Sequence, residues 1–166
     1  GAFGVSFIAQ SRATPLVSAR IAVDVTAEAA GQALAAAGIP RGDIRLCATE
    51  AEARLAFGQG HAVAAATLET VMPLPFSLVV EATGHPEAGA RHALAAIEAR
   101  RHVLLVTKET DSVAGPMLAH LASEAGVGIT PVDFPAGPLG GIELQRLWEK
   151  RAFEAGGGNY DAPAQR

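Results

Sequence analysis

Short apolar runs alternate along this chain with longer segments in which apolar residues recur every three or four positions. The clearest stretch is 77–110, where an apolar run closed by Gly84 leads through an amphipathic segment to a second apolar run at 102–107. Apolar runs of this length are typical of strands buried on both faces of a parallel sheet. Pro86 suits the first turn of a helix between them. The helical spacing falls on Ala90, Ala93, Leu94 and Ile97. The stretch therefore predicts a strand–helix–strand unit.

The same alternation predicts the other elements. Further strands are predicted at 19–24, 43–48, 61–66 and 127–133, with 61–66 a weak edge strand. Helices are predicted at 5–13, 26–37 and 49–57, and from a cap at Asp111 or Ser112 to 125, while 68–75 is a loop or one helical turn. Strands that alternate with helices predict an α/β fold, a Rossmann-like doubly wound parallel sheet.

The last predicted helix and the end of the chain carry two further expectations. Pro116 is placed near the first turn of that helix, and its inward face is assigned to Val113, Met117, Leu118, Leu121 and Ala122. The sheet domain is expected to span 1–133. Residues 134–166 are expected to form a divergent or truncated tail, helical at 142–153 and disordered from 155 because of its Gly and Pro content.

Composition narrows the class of protein. A chain of 166 residues with 49% hydrophobic residues fits one domain with a proper core. The net charge of −4 argues against a nucleic-acid or anionic-membrane partner, and no apolar run is long enough for a membrane span. The single cysteine, Cys47, fits a reducing, cytoplasmic location. The five histidines have no metal-binding spacing, so we expect no metal. The chain begins without Met, which suggests a fragment.

Polar residues follow the two strands of the central unit. Glu81, Thr83 and Gly84 end the first strand, and Lys108 and Glu109 end the second. The carboxyl ends of parallel strands share one rim, which is where open α/β sheets bind ligands. Lys108 is either a catalytic cation or a surface lysine. The two carboxylates either share a proton and position Lys108 or are solvated rim groups.

A second candidate lies at the start of the chain. Gly1 and Gly4 precede a helix, and Asp24 ends the next strand 20 residues after Gly4. Dinucleotide sites use glycines to bring helix N–H groups to the pyrophosphate, and an acid to bind the adenosine ribose. An Asp there favours NAD over NADP. The alternatives are ordinary turn glycines, and an Asp24 that is solvated or caps the next helix with Thr26.

These motifs resemble a known family. Val79 to Gly84, followed by His102 to Lys108, is similar to the cofactor domain of homoserine dehydrogenase. The closer similarity is to homoserine-dehydrogenase-like oxidoreductases with a C-terminal SAF domain. Those have a strand ending Val-Glu-x-Thr-Gly and, after the next strand, Asp-x-x-x-Gly-Pro, here Asp111 to Pro116. The resemblance covers roughly 1–133. It implies a Rossmann fold that binds NAD(P), hydride transfer at a hydroxyl or carbonyl group of a small polar acid, and a homo-oligomer at full length.

Residue by residue, the resemblance implies the following roles. Gly1 and Gly4 match the second and third glycines of the cofactor fingerprint, and Phe3 joins them as a cofactor contact. Thr83 and Gly84 lie near the nicotinamide ribose, with Glu81 beside them. Lys108 matches the lysine after the second strand and is assigned to catalysis with Glu109. After Asp133, itself a weaker candidate, the sequence departs from the family, so no substrate-binding region is recognisable.

Two alternatives remain at this stage. The chain is either such an oxidoreductase or a non-catalytic nucleotide-binding module, including an inactive fragment of the enzyme. The family's first strand is absent from the chain and belongs between 19–25 and 77–83 in a sheet of order 3-2-1-4-5-6. We therefore expect these two strands to be parallel neighbours, separated by an empty slot or directly hydrogen-bonded.

Overall fold

A computed structural model describes residues 1–132 of the chain. The chain divides into two units, 1–131 and 132–166, and every element below belongs to the first. The helices are α1 (Ala2–Ser11), α2 (Ala27–Ala36), α3 (Glu50–Gly58), α4 (Leu68–Val71), α5 (Pro86–Glu98) and α6 (Lys108–Ala125). The strands are β1 (Ile21–Val23), β2 (Ile44–Cys47), β3 (Ala62–Ala65), β4 (Leu78–Glu81), β5 (His102–Leu105) and β6 (Ile129–Pro131).

The strands form two three-stranded sheets, and all pairs are parallel. The first sheet has the order β1-β3-β2, and the second has the order β4-β5-β6. The α/β class predicted from the sequence is confirmed, and the arrangement is compatible with a Rossmann-like fold. The described strands nevertheless form two sheets, where the sequence predicted one.

β3 is the central strand of the first sheet and not the weak edge strand that the sequence predicted. All four of its residues are buried. Val63 and Ala65 pack in the cluster that contains α3 and α4, whereas Ala62 and Ala64 pack in the cluster with α1 and α2. The small side chains of this strand, which weakened the sequence signal, let helices approach from both faces. The first sheet is therefore covered on both sides, as a doubly wound fold requires.

The second sheet packs against α5 and α6. Val103 and Leu105 of β5 share one cluster with the inward faces of both helices. The helices meet closely at Gly89 of α5, where an added Cβ would clash with the Thr110 hydroxyl of α6.

β1 and β4 both lie at sheet ends. Within residues 1–132, β1 pairs with β3 and β4 pairs with β5. Direct hydrogen bonding between β1 and β4, one of the two expected arrangements, is therefore excluded.

The start of α6 differs from its prediction. The helix begins at Lys108 with Thr107 as its N-cap residue, so neither Asp111 nor Ser112 caps it. Pro116 is consequently inside the helix and not near its first turn. The extra turn forms because Thr110 is buried and its hydroxyl bonds the Pro86 carbonyl oxygen. Tertiary packing thus extends the helix beyond its local sequence signal.

The inward face of α6 was only partly predicted. Leu118 and Ala122 are buried, but Val113 is 80% exposed and Met117 is 56% exposed. Buried Thr110 and Gly115 lie on the inward side instead. Because α6 packs closely on α5, small residues lie on its inward face. A prediction based on large apolar side chains does not find them.

The remaining boundaries shift slightly. α1 begins at Ala2, three residues before its predicted start, and α4 is the single helical turn that 68–75 allowed. The predictions for Asp133, for a helix at 142–153 and for a disordered end lie outside the described residues. No helix within residues 1–132 is long and apolar enough to span a membrane.

Candidate functional site

The carboxyl ends of β4 and β5 meet as the sequence predicted. Glu81, the last residue of β4, is in register with Leu105, the last residue of β5. The segments that follow are also joined, because the Gly84 backbone N–H donates to Thr107 Oγ1 at 3.0 Å. Gly84 has a φ of +73°, a left-handed conformation that glycine adopts without strain. This backbone conformation favours glycine here.

Glu81 is the hydrogen-bonding centre of this rim. It is only 2% exposed. Its Oε1 accepts from the Thr83 N–H at 2.8 Å, the Thr83 hydroxyl at 2.6 Å and the Thr107 hydroxyl at 3.0 Å. Among the described residues its Oε2 is buried without a hydrogen-bond partner. Glu81 therefore joins the segments after both strands from a buried position.

Lys108 and Glu109 do not end the second strand as the sequence predicted, because β5 ends at Leu105. They are the first two residues of α6, and both are exposed. Glu109 is an acid in a first helical turn, a position that the helix dipole favours. The dipole does not favour a cation such as Lys108 at the same end. Exposure beside Thr107 leaves both side chains accessible to a ligand at this rim.

Asp24 lies at the end of β1 and close to the start of α1. Its Oδ1 accepts from the Val25 N–H at 2.8 Å, and its Oδ2 lies 3.9 Å from the backbone nitrogen of Gly1. Thr26, by contrast, caps α2 by accepting from the Ala29 N–H. Thr26, and not Asp24, therefore caps α2 with its side chain. The half-exposed Asp24 side chain faces the N-terminus of α1.

The predicted residues of α1 occupy its first turn. Gly1 is the N-cap residue, and Phe3 stacks on Phe7 with ring centroids 6.3 Å apart. Gly4 is inside the helix and not in a turn that precedes it. A Cβ at Gly1 or Gly4 would meet no atom within 4 Å, so packing among the described residues does not require glycine at either position.

The predicted site residues therefore form two groups. In one group, Glu81, Thr83 and Gly84 are joined by hydrogen bonds that include the Thr107 hydroxyl. Lys108 and Glu109 follow Thr107 at the start of α6. The other group lies at the end of β1: Gly1, Phe3, Gly4 and Asp24.

Sequence reasoning missed Thr107, whose hydroxyl both accepts from Gly84 and donates to Glu81. Threonine is often the N-cap residue of a helix. The position of Thr107 between an apolar strand and a charged helix start could therefore have identified it. It also missed the buried Thr110.

The described residues also contain a cavity, but they contain no metal-binding group. A cavity of about 310 Å³ lies near the carboxyl ends of α5 and α6, and none of the predicted site residues lines it. Within residues 1–132, no three His, Cys, Asp or Glu side chains are grouped so that they could hold a metal ion. The two strand-end groups thus remain the candidate functional sites.

Comparison with known proteins leaves the family open. No family model matches the sequence. One stretch of 40 residues is 52% identical to a protein of Clostridium beijerinckii that is described only as an uncharacterized protein. That match covers 24% of this chain and 8% of the other protein.

Proposed function

We propose that the chain is the cofactor-binding part of an NAD(P)-dependent oxidoreductase of the homoserine-dehydrogenase-like type. It transfers a hydride between the nicotinamide and a hydroxyl or carbonyl group of a small polar acid. The cofactor supplies the hydride chemistry, and the protein binds and orients it. NAD is the favoured cofactor because Asp24 would repel a 2′-phosphate.

One observation carries the proposal: a helix N-terminus and a carboxylate lie together at the end of a parallel strand. The backbone nitrogen of Gly1, the N-cap residue of α1, is 3.9 Å from Asp24 Oδ2. A dinucleotide needs both features, since the helix N–H groups and dipole bind the pyrophosphate and the acid accepts the ribose hydroxyls. The carboxylate is half-exposed, so it is accessible to a sugar.

The residues that follow β4 and β5 account for the chemistry in this proposal. Lys108 is exposed at the start of α6, where its ammonium can polarise a substrate carbonyl or hold a carboxylate. Glu109 beside it can accept a proton or orient the lysine. Both residues follow Thr107, whose hydroxyl accepts from the Gly84 N–H. Gly84 is the residue expected to lie near the nicotinamide.

Cofactor binding is tested by fluorescence titration of the purified chain with NADH and NADPH. We expect saturable binding with NADH preferred. Asp24→Asn should weaken NADH binding by about tenfold, the cost of a lost hydrogen bond to a charged group, and reduce the preference over NADPH. Asp43→Asn, which changes an exposed acid in the turn Arg41–Asp43, is the matched control and should bind as the parent does. Absence of NADH and NADPH binding would reject the proposal.

Catalysis is tested on a panel of small hydroxy acids and their carbonyl counterparts, with NADH absorbance as the readout. Turnover that Lys108→Ala reduces at least about a hundredfold, with cofactor affinity unchanged, supports the enzyme. Arg91→Gln, at an exposed cation of α5, is the control. Cofactor binding without turnover on the panel would instead select the non-catalytic module for this chain.

A further inference from the structure

The cavity at the carboxyl ends of α5 and α6 combines an apolar floor with charges of both signs at its mouth. Its volume of about 310 Å³ is at the lower end of the range for small-molecule sites. The apolar residues are buried or half-buried and the charged residues are exposed: Leu94, Ile97 and Leu121 on the floor, and Glu98, Arg100 and Glu124 at the mouth.

Both helices carry an acid at this end, where its charge is unfavourable. Glu98 is the last residue of α5, and Glu124 is the next-to-last residue of α6. The helix dipole makes a carboxyl end negative, and neither helix has a basic residue in its last turn. His120 lies 3.6 Å from Glu124, but an exposed pair of this kind compensates little. Two carboxylates and two negative helix ends therefore favour a cation at the cavity.

Arg100 occupies its position at the mouth against the local backbone preference. Its φ is +56°, and within residues 1–132 it is the one residue other than glycine with a positive φ. It follows Ala99, the C-cap residue of α5, at a position where glycine is common because it adopts this conformation without strain. Its Nη1 donates to the Ala125 carbonyl oxygen at 3.2 Å. A guanidinium has five N–H donors, so others are left for an anionic group.

We propose that this cavity binds a free aliphatic α-amino acid. The Arg100 guanidinium binds the α-carboxylate, because its planar fork matches two carboxylate oxygens. Glu98 and Glu124 bind the α-ammonium, which has three N–H donors. The aliphatic side chain lies on the apolar floor. A ligand with only one of the two charges leaves either the guanidinium or the carboxylates without a partner.

This site is separate from the proposed cofactor site. None of the strand-end residues of either group lines the cavity. An α-helix rises 1.5 Å per residue, so Ile97 is about 16 Å along α5 from Pro86 at its start. Amino-acid binding is therefore measured without NADH, and its outcome does not depend on the proposed function.

The ligand class is tested by backbone amide NMR of the whole chain with L-leucine as the probe. We expect saturable shifts of the amides at 97–100 and 121–126. Isocaproate lacks the ammonium and isoamylamine lacks the carboxylate, so each should bind at least about tenfold more weakly. Glycine, which lacks the aliphatic side chain, should also bind at least about tenfold more weakly. Absent or non-saturable leucine shifts, or any of these three compounds binding as tightly as leucine, would overturn the proposal.

Variants of the charged residues test their roles without a loss of folding. Arg100→Gly removes the guanidinium and suits the left-handed backbone. The double variant Glu98→Gln, Glu124→Gln removes two acids that the helix dipoles disfavour. Each should weaken leucine binding at least about tenfold, whereas Glu87→Gln, at an exposed acid of α5 outside the cavity, should bind as the parent does. Unchanged leucine affinity in Arg100→Gly or in the double variant would contradict the assigned roles and overturn the proposal.

Discussion

Thr49 and Glu52 illustrate how far single residues specify their own surroundings. The Thr49 hydroxyl accepts from the Glu52 N–H, and Glu52 Oε2 accepts from the Ala48 and Thr49 N–H groups at 2.8 and 3.1 Å. This is the capping box that the Thr-x-x-Glu spacing indicates, and it needs no distant partner. The two backbone hydrogen bonds lower the pKa of Glu52 from its ordinary value of 4.5.

Glu52 should make stability depend on pH in the acid range. Because its pKa is lowered in the folded state, its contribution is present above pH 4.5 and is lost as the pH falls through the folded-state pKa. Glu52→Gln should therefore flatten the decline of stability between neutral and acid pH. The check is denaturant unfolding at pH 7 and pH 3, with Glu28→Gln, a first-turn acid of α2, as the control. An equal decline in both variants would contradict the assignment.

Gly89 depends on its neighbours in space. A Cβ there would lie 3.1 Å from Glu81 Oε2 and would clash with Thr110 Oγ1. Gly89→Ala should lower the free energy of unfolding by about 1–3 kcal/mol, as overpacking does. Gly58→Ala, at a helical glycine with no atom within 4 Å of the added Cβ, should be neutral or stabilise by up to about 1 kcal/mol. Chemical denaturation of both variants is the measurement, and similar effects would show that the α5–α6 contact can relax.

At the scale of elements, α6 departs most from its local signal. Its 18 residues include Pro116, which has no N–H for the helix and crowds the preceding turn. The helix persists because Thr110, Leu118 and Ala122 are buried against the second sheet and α5. Packing, not propensity, decides its length.

Pro116→Ala should stabilise the protein. The residue is exposed, so the change removes the backbone penalty without disturbing a core contact, and we expect a gain of about 1–3 kcal/mol. The gain is measured as a shift in the denaturant midpoint at constant slope. Ala119→Ser, on the exposed side of the same helix, serves as the control for surface substitution. A loss of stability would mean that α6 needs the local bend that proline imposes.

At the scale of the whole molecule, two three-stranded sheets each present a half-buried end strand. In a parallel ladder, alternate residues direct their N–H groups to opposite sides. The bonds from Asp24 N to Ala65 O and from Val106 N to Glu81 O therefore turn the N–H groups of Val23 and Val80 away from β3 and β5. Among the strands of residues 1–132, neither of these two edges pairs with a further strand.

Amide exchange distinguishes free edges from paired ones. Val23 and Val80 should exchange faster than Ala64 and Leu104 in the central strands β3 and β5, because only the central amides lie inside a ladder within the described chain. The measurement is exchange at low protein concentration, repeated at high concentration. Concentration-dependent protection of Val23 and Val80 would indicate association through these edges, and full protection at all concentrations would contradict free edges.

The sequence alone determined the α/β class, the order of the elements and the strand-end positions of Asp24 and Glu81. Those features depend on local periodicity, capping and turn residues, which neighbouring positions encode. Tertiary structure decided the central place of β3, the division into two sheets, the early start of α6 and the Glu81–Thr107 network. Each of these depends on contacts between residues distant in the chain, such as small side chains that admit a helix or a hydroxyl that reaches a carboxylate. The spacing of apolar and polar residues along the sequence does not reveal such contacts.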